Sequence, residues 1–387
     1  MPEDVPSLLD RVCELIGRRI DPARVARAKR RQAAAMAWQD GEYLPLRFPC
    51  PVPEAGDLPE FNWRQQFHDP AKSLYMQLKN DVLPAVASDG DNVPGVRADT
   101  GVVNCMSVLG ARYVVPEHTK PVVNEYVPKE TLAEFELPAD IRGEGVMPRM
   151  VEHMEHHKAA LAERGLGEAI GVHHCDQQGP FDIAAQTRGH EIFTDLYEDP
   201  DFVHALMGKT TAVYVAVSKL CKEINGDPPD GGNVSGVWME NGGVRMCGDS
   251  DILIGPQQFE QFVLPYQEEA LAAFGGGWLH YCGGVKGFSR AEGLHLHELY
   301  ARNRHLRGLN WTTAGDWIGE MRKLRELHVV HVGTVPRGDG ESLADYFRKA
   351  LSPYEDRCGL LLEAEIRAPE ADSAMAKWRR VQDEKFG

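Results

Sequence analysis

Long apolar runs and an excess of positive charge are both missing from this 387-residue sequence. No stretch approaches the roughly 18 consecutive apolar residues of a membrane-spanning helix. Lys plus Arg number 42 against 58 for Asp plus Glu, a formal net charge of −16. Nucleic-acid-binding domains usually carry a basic stripe, so we expect neither a nucleic-acid partner nor a membrane location. The N-terminal segment is charged throughout and lacks the apolar core of a signal peptide, which predicts a cytoplasmic protein.

Several common motifs are also missing. The eight cysteines form no CxxC pair and no regular framework, and cytosolic thiols stay reduced, so we expect most of them to be small buried residues rather than disulfide partners. No GxGxxG follows the first predicted strand, and no GxxxxGK[ST] or GxSxG occurs. The two common nucleotide-binding sheets and serine-hydrolase chemistry therefore lack support.

What the sequence does contain is an alternation of short apolar runs with longer amphipathic runs. The runs that predict strands are 92–97, 168–174, 236–247, 277–281, 305–310, 327–332 and 359–364. The runs that predict helices are 147–164, 181–189, 200–224, 256–274, 286–302, 315–326, 341–352 and 370–385. Helices between successive strands predict a parallel sheet. Seven or eight such units favour a closed (β/α)8 TIM barrel, which typically needs about 250 residues.

The first 90 residues differ in their pattern from the rest of the chain. Helical patterning covers 5–38, and 44–70 is rich in proline and aromatic residues, a composition typical of irregular structure. We therefore predict an N-terminal helical and irregular extension, residues 1–90, packed on a barrel formed by residues 91–387.

Polar side chains follow several of the predicted strands, where a barrel places its active site. Asp249 has two interpretations: an N-cap for the helix at 256–274, or a carboxylate that binds substrate and takes part in catalysis. The histidines at 153, 156 and 157 are expected on a helix surface. The candidate substrate-binding residues are Arg97, His173, His174, Gln178, Asp249, Tyr281 and Asn310.

His280 and Cys282 are the sharpest pair of candidates. Residues two apart on an extended strand point to the same side, so an imidazole and a thiolate here can reach one metal ion. A catalytic zinc takes three protein ligands and leaves one position open for substrate. Glu363, at the predicted end of the last strand, is the first choice for the third ligand, with Cys175 or Cys247 as substitutes.

These residues belong to patterns that resemble the uroporphyrinogen decarboxylase superfamily over roughly residues 90–385. The patterns are QGPFD at 178–182, DSD at 249–251, the Pro265-Tyr266 pair after a helical run, and His280-x-Cys282-Gly283. The family fold is a (β/α)8 barrel, which agrees with the strand–helix alternation.

The superfamily contains decarboxylases and corrinoid-dependent zinc methyltransferases. The decarboxylases carry an RQAGR-type segment, whereas this chain has NWRQQ at 62–66. The resemblance therefore implies a methyltransferase that moves a methyl group between a corrinoid (cobalamin) protein and a small molecule. Its zinc ligands would include His280 and Cys282, with Asp249 orienting the reactants. The family's distant third cysteine is missing near Glu363. The DxHxxG corrinoid signature is also missing, which implies that a separate corrinoid protein supplies the methylcorrinoid.

Two alternatives remain open. One is a metal-free, decarboxylase-like lyase that acts on a tetrapyrrole or another carboxylate and uses Asp249 to stabilise a protonated ring nitrogen. The other is a non-catalytic protein that binds a corrinoid or porphyrin.

Overall fold

Six parallel strands form the main sheet of the computed structural model, which describes residues 4–282, 294–312 and 316–387. The strands in these ranges are β1 (Leu46–Arg47), β2 (Gly95–Arg97), β3 (Arg112–Val114), β4 (Val122–Glu125), β5 (Gly171–His173), β6 (Gly232–Val234), β7 (Val237–Met239), β8 (Val244–Cys247), β9 (Gly277–Tyr281), β10 (Leu306–Trp311), β11 (Val330–Gly333) and β12 (Leu360–Glu363).

Helices connect most of the parallel strands. The α-helices are α1 (Val5–Gly17), α2 (Pro22–Met36), α3 (Trp63–His68), α4 (Pro70–Gln77), α5 (Leu83–Ala87), α6 (Asn104–Val108), α7 (Lys129–Glu134), α8 (Met147–Glu163), α9 (Pro180–Arg188), α10 (Glu191–Glu198), α11 (Pro200–Asn225), α12 (Pro256–Phe262), α13 (Leu264–Ala272), α14 (His297–Tyr300), α15 (Trp317–Glu326), α16 (Leu343–Leu351) and α17 (Ala371–Phe386). A π-helical turn spans Leu78–Val82, and 3-10 turns span Pro53–Ala55, Asp251–Leu253, Leu294–Leu296 and Ala368–Glu370.

The main sheet has the order β1-β12-β11-β10-β9-β8, and every neighbouring pair in it is parallel. A separate parallel pair joins β2 to β5, while β3–β4 and β6–β7 are antiparallel pairs. The α/β class and the parallel sheet are thus confirmed. The predicted continuous eight-stranded ring of strands is not found as one ladder among the described residues.

Backbone hydrogen bonds link the two parallel sheets at both edges. The Cys247 N–H at the end of β8 donates to the Gln177 carbonyl oxygen at 3.0 Å, just beyond β5. The Gly179 N–H donates back to the Cys247 carbonyl oxygen at 2.7 Å. On the other side, the Asp91 N–H, before β2, donates to the Leu46 carbonyl oxygen of β1 at 2.7 Å.

Side chains of the main sheet alternate between two apolar environments, as the period of two requires. Trp278 of β9 packs with β11, β12 and the β6–β7 hairpin, and its indole N–H donates to the Val234 carbonyl oxygen at 3.1 Å. Leu279 and Tyr281 belong to the larger core, which includes residues of the surrounding helices. The face that carries Trp278 also carries His280.

Helix boundaries follow the capping chemistry. The Asp316 carboxylate accepts the Gly319 N–H at the start of α15. The helix α11 ends before its C-cap residue Gly226, which lies in the left-handed region with a φ of 79°. The single helix predicted for 256–274 is broken into α12 and α13, because Pro265 has no backbone N–H to donate. The predicted helix at 286–302 is described only from Leu294, and residues 286–293 lie outside the described ranges.

The N-terminal segment takes part in the sheet. β1 pairs with β12, with Leu46 opposite Leu362 and Arg47 opposite Glu363. Residues 46–47 are therefore continuous with the sheet, although they fall within the predicted extension. The domain division at residue 90 stays a prediction.

Burial differs from expectation on α8. His153 and His157 are fully buried rather than on a helix surface. None of the helices that the structure describes combines the length and apolarity needed to cross a membrane.

Candidate functional site

Three side chains converge where β8 and β9 end. The candidate ligand atoms of Asp249, His280 and Cys282 all lie within 4.8 Å of one another. His280 is in β9, Cys282 follows that strand directly, and Asp249 comes two residues after β8. Because β8 and β9 are parallel neighbours, their C-terminal ends meet at one edge. We call these three residues the Asp249 cluster.

The orientation of the His280 ring is fixed by Asn310. The Asn310 amide donates through Nδ2 to the Val332 carbonyl oxygen, so its Oδ1 faces His280 Nδ1. An amide oxygen only accepts, and Nδ1 must therefore carry the proton. The other nitrogen, Nε2, keeps its lone pair and lies 3.1 Å from the Cys282 sulfur. Burial, together with the nearby Arg245 charge, lowers the pKa of His280, which favours the neutral imidazole.

Cys282 and Asp249 are joined through the backbone. The Cys282 N–H donates to Asp249 Oδ1 at 2.6 Å, which leaves Oδ2 of the same carboxylate for another contact. Cys282 is also the exposed thiol among eight free cysteines. Burial of the sulfur and the Asp249 charge raise the pKa of Cys282 to about 11.

The N-cap interpretation of Asp249 is wrong. The helix α12 begins at Pro256, and its N-cap residue is Gly255. The substrate-binding interpretation of Asp249 stays a prediction.

Asp182 of α9 holds the Asp249 loop in place. Its fully buried carboxylate accepts the Asp249 N–H at 2.8 Å through Oδ2 and the Ser250 N–H through Oδ1. Burial and the neighbouring Asp251 and Asp249 charges raise the pKa of Asp182 well above its usual range. The motif at 178–182 contains Asp182, but sequence reasoning gave it no role.

Two guanidinium groups flank one carboxylate near the cluster. Asp176 accepts from Arg97 Nη2 at 3.1 Å and is paired on its other oxygen with Arg245 of β8. Burial opposes ionisation, but the two arginines hold the pKa of Asp176 below its usual range. Arg97 was a predicted site residue. Arg245 was missed because a charged residue inside an apolar strand gives no motif.

The predicted histidines at the end of β5 are buried near this carboxylate. His173 Nδ1 contacts the His174 carbonyl oxygen at 3.0 Å, and His174 Nδ1 contacts the Cys175 carbonyl oxygen at 2.7 Å. Burial lowers the pKa of His173 to about 4 and of His174 to about 3. Neither belongs to the Asp249 cluster, and the lowered pKa favours the neutral form of both rings.

Two further predicted residues face elsewhere. Tyr281 is one residue from His280 and so lies on the opposite face of β9, where its hydroxyl contacts His297 Nε2 at 2.6 Å. Gln178 is buried, and its Oε1 accepts from Gln186 Nε2 at 3.2 Å. The structure does not bring either side chain to the Asp249 cluster.

None of the three predicted third ligands joins the cluster. Glu363 forms an ion pair with Arg47 at 2.9 Å. The Cys175 sulfur lies 3.8 Å from the Cys221 sulfur of α11, and Cys247 is buried with its sulfur 4.0 Å from Asp176 Oδ1. The carboxylate that completes the group is that of Asp249 instead.

The donor set fits a zinc ion. Bonds of about 2.0–2.3 Å in a tetrahedral site place ligand atoms about 3.3–3.8 Å apart, and the 4.8 Å limit of the cluster is within a small side-chain adjustment of that spacing. The Nε2 lone pair faces the sulfur, and the ring's second nitrogen is already occupied by Asn310, as is usual for a metal-binding histidine.

The similarity that comparison with known proteins finds is one of structure. No protein-family model matches the chain, and no curated protein does. The chain does match a solved structure. It is described as a methyltransferase from Methanosarcina mazei, with a TM-score of 0.63 and 16% sequence identity. The match covers 93% of this chain and 99% of that chain. At this identity the similarity shows that the two chains share a fold.

Proposed function

We propose that this chain is a methyltransferase that moves a methyl group between a corrinoid protein and a small molecule, with zinc held by Asp249, His280 and Cys282. The observation that carries the proposal is the convergence of these three ligand atoms within 4.8 Å, with the His280 lone pair already aimed at the sulfur. The fold that this chain shares with a protein described as a methyltransferase also supports the proposed methyltransferase activity.

The proposal includes a closed barrel. We infer that β2, β5, β8, β9, β10, β11, β12 and β1 form a ring in this order, and the hydrogen bonds that link Cys247 to residues 177–179 and Leu46 to Asp91 support it. In such a ring the Asp249 cluster would lie at the C-terminal mouth, where barrel enzymes bind their substrates.

Two residues beside the cluster hold its ligands in position. Asn310 keeps Nε2 of His280 unprotonated and directed at the ligand position. Asp182 keeps the Asp249 loop close to Cys282 through two backbone hydrogen bonds. Three protein ligands leave a fourth position for a substrate thiol or alcohol.

Two groups must come from outside the chain. Zinc, when bound, lowers the pKa of a coordinated thiol or alcohol, so that it becomes a nucleophile near neutral pH. The corrinoid, carried by a separate cytoplasmic protein, supplies or accepts the methyl group.

Metal analysis of freshly purified protein tests the proposal. We expect one zinc per chain in the wild type and in Glu363→Gln, and loss of zinc in Asp249→Asn and in the double variant His280→Ala, Cys282→Ala. Methyl transfer from methylcobalamin to 2-mercaptoethanol should fall with the zinc content. Metal-free protein with full transfer activity would contradict the proposal, and decarboxylation by such protein would favour the lyase alternative.

A further inference from the structure

A chain of buried hydrogen bonds joins the end of β9 to two helices outside the sheet. Tyr281 and His297 are fully buried, and the Tyr281 hydroxyl lies 2.6 Å from His297 Nε2. On the other side of the ring, His297 Nδ1 lies 2.7 Å from Glu320 Oε2. Tyr281 is the last residue of β9, His297 is the first residue of α14, and Glu320 lies in α15. These contacts therefore connect the strand that carries His280 to both helices.

The carboxylate at the far end of this chain decides which groups donate and which accept. Burial opposes ionisation of Glu320, but His297 and Lys323, whose Nζ is 3.4 Å away, lower its pKa. An ionised carboxylate only accepts, so the proton of the His297 ring is on Nδ1. Nε2 is then an acceptor, and the Tyr281 hydroxyl donates to it. Each buried polar group in the chain thus has a partner of the right kind, as stable buried networks require.

Tyr281 stands between two members of the Asp249 cluster, with His280 before it and Cys282 after it. The strand ladder ends at this point. Tyr281 pairs with Trp311 of β10, and on the other side His280 is the last residue of β9 that pairs with β8. Cys282 lies beyond these pairs, and its N–H donates to Asp249, which is itself a member of the cluster. The Tyr281 hydroxyl therefore gives this segment an anchor outside the cluster.

We propose that Tyr281 is a positioning residue for the Asp249 cluster. Its hydroxyl, bound to His297, fixes the end of β9. The ligand atoms on either side of it, His280 Nε2 and the Cys282 sulfur, thereby keep the 3.1 Å separation from which both can reach one metal ion. The inference rests on the proposed function for the identity of that metal. Tyr281 acts from behind the cluster through the backbone, whereas the sequence predicted it as a residue that binds substrate.

Removal of the hydroxyl alone tests the inference. Tyr281→Phe keeps the ring, which stacks on Tyr300 with ring centroids 6.0 Å apart. We expect the zinc affinity of the full-length protein, measured by competition with a chelator, to fall about fivefold, the effect of one hydrogen bond of ordinary strength on an equilibrium constant. Tyr75→Phe is the matched control, because Tyr75 is a fully buried residue of α4 whose hydroxyl donates to the Pro59 carbonyl oxygen at 2.9 Å. Both variants should unfold at a lower urea concentration than the wild type, but only Tyr281→Phe should bind zinc more weakly.

Two substitutions of His297 separate the anchor from general packing. Glutamine places an amide oxygen near the position of Nε2 and so keeps an acceptor for the Tyr281 hydroxyl. Asparagine places its amide near Nδ1, which keeps a donor for Glu320 but leaves the hydroxyl without an acceptor. We expect His297→Asn to lower zinc affinity as much as Tyr281→Phe does, and His297→Gln to retain an affinity close to that of the wild type. Combining Tyr281→Phe with His297→Asn should weaken zinc binding no further, because both substitutions remove the same contact.

The outcomes separate this inference from the proposed function. Wild-type zinc affinity in Tyr281→Phe, or equal affinities in His297→Asn and His297→Gln, overturns the positioning role even when the wild type holds zinc. A wild type that binds no zinc contradicts the proposed function instead, and the anchor is then tested at Cys282, the exposed thiol. Iodoacetamide should alkylate Cys282 faster in Tyr281→Phe than in the wild type or in Tyr75→Phe, as followed by mass spectrometry of the peptide. Equal rates in the three proteins overturn the anchor.

Discussion

At the scale of single residues, protonation of one ring decides what the cluster can bind. His280 has Asn310 on one nitrogen and Cys282 on the other. The sequence predicted the pair two residues apart on one strand, because that requires only the strand period. It did not predict Asp249 as the third donor, because Asp249 and His280 are 31 positions apart in the chain and their contact depends on the conformation of a loop.

Removing the Asn310 amide should weaken metal binding without touching a ligand. In Asn310→Ala the Nδ1–H of His280 loses its acceptor, and the ring is free to turn or change tautomer. We expect zinc affinity to fall about 10–100-fold, the usual effect of losing such a partner, as measured by competition with a chelator. Asn241→Ala is the control, since that amide makes a similar hydrogen bond, 3.0 Å to the Met36 carbonyl oxygen, away from the cluster. Equal affinities in the two variants would show that Asn310 does not orient the ring.

At the scale of elements, how well the predicted bounds of a helix or strand agree with the observed bounds depends on the length of that element. The predicted strand at 277–281 has the bounds of β9, and the helix predicted at 200–224 is α11 with one residue more. The run at 236–247, predicted as one strand, is β7 and β8 joined by a turn. A Cβ at Gly243 would lie 1.8 Å from the Pro229 carbonyl oxygen, so only glycine fits there. The Asn241-Gly242-Gly243 sequence is typical of a turn. The apolar residues on either side of it nevertheless led to the prediction of one continuous strand.

The contact between α9 and the Asp249 loop should contribute both to the stability of the fold and to the affinity for the metal. Asp182→Asn keeps the shape of the side chain, but an amide offers one acceptor atom where two backbone N–H groups require two. We expect a loss of about 1–3 kcal/mol in the free energy of unfolding, measured by urea denaturation, together with reduced zinc content. Asp201→Asn, on the exposed first turn of α11, should change neither. Wild-type stability and zinc content in Asp182→Asn would refute this role.

At the scale of the whole molecule, the class of fold was predictable and the completion of the sheet was not. The alternation of patterns is a local property, repeated along the chain, and it predicts a parallel α/β arrangement. β1 is two residues long and pairs with a strand more than 300 residues away. No periodicity exists in two residues, so its place in the sheet is decided only by tertiary packing. Tertiary packing likewise decides the burial of His153 and His157 on α8, a helix whose sequence contains many charged residues.

Buried neutral histidines should make the folded protein sensitive to acid. Burial lowers the pKa of His331 to about 4, whereas an unfolded histidine titrates near about 6.5. Between these values the unfolded state binds the extra proton, so His331 reduces stability as the pH falls, by at most about 1.4 kcal/mol per pH unit.

His331→Leu should therefore flatten the dependence of unfolding free energy on pH between about 6.5 and 4. Leucine retains an apolar contact with Trp311, whose ring centroid is 4.7 Å from the histidine ring. Urea denaturation at several pH values measures the slope, and above pH 7 the two proteins should differ by a constant amount. Parallel curves over the whole range would contradict the assignment.

X-ray absorption at the zinc K-edge of the purified, full-length protein tests the zinc site at the Asp249 cluster directly. We predict a four-coordinate ion with a single sulfur at about 2.3 Å, from Cys282, and nitrogen or oxygen neighbours at about 2.0–2.2 Å, from His280, Asp249 and one outside ligand. Two or more sulfur neighbours, or protein that retains no zinc, would contradict it.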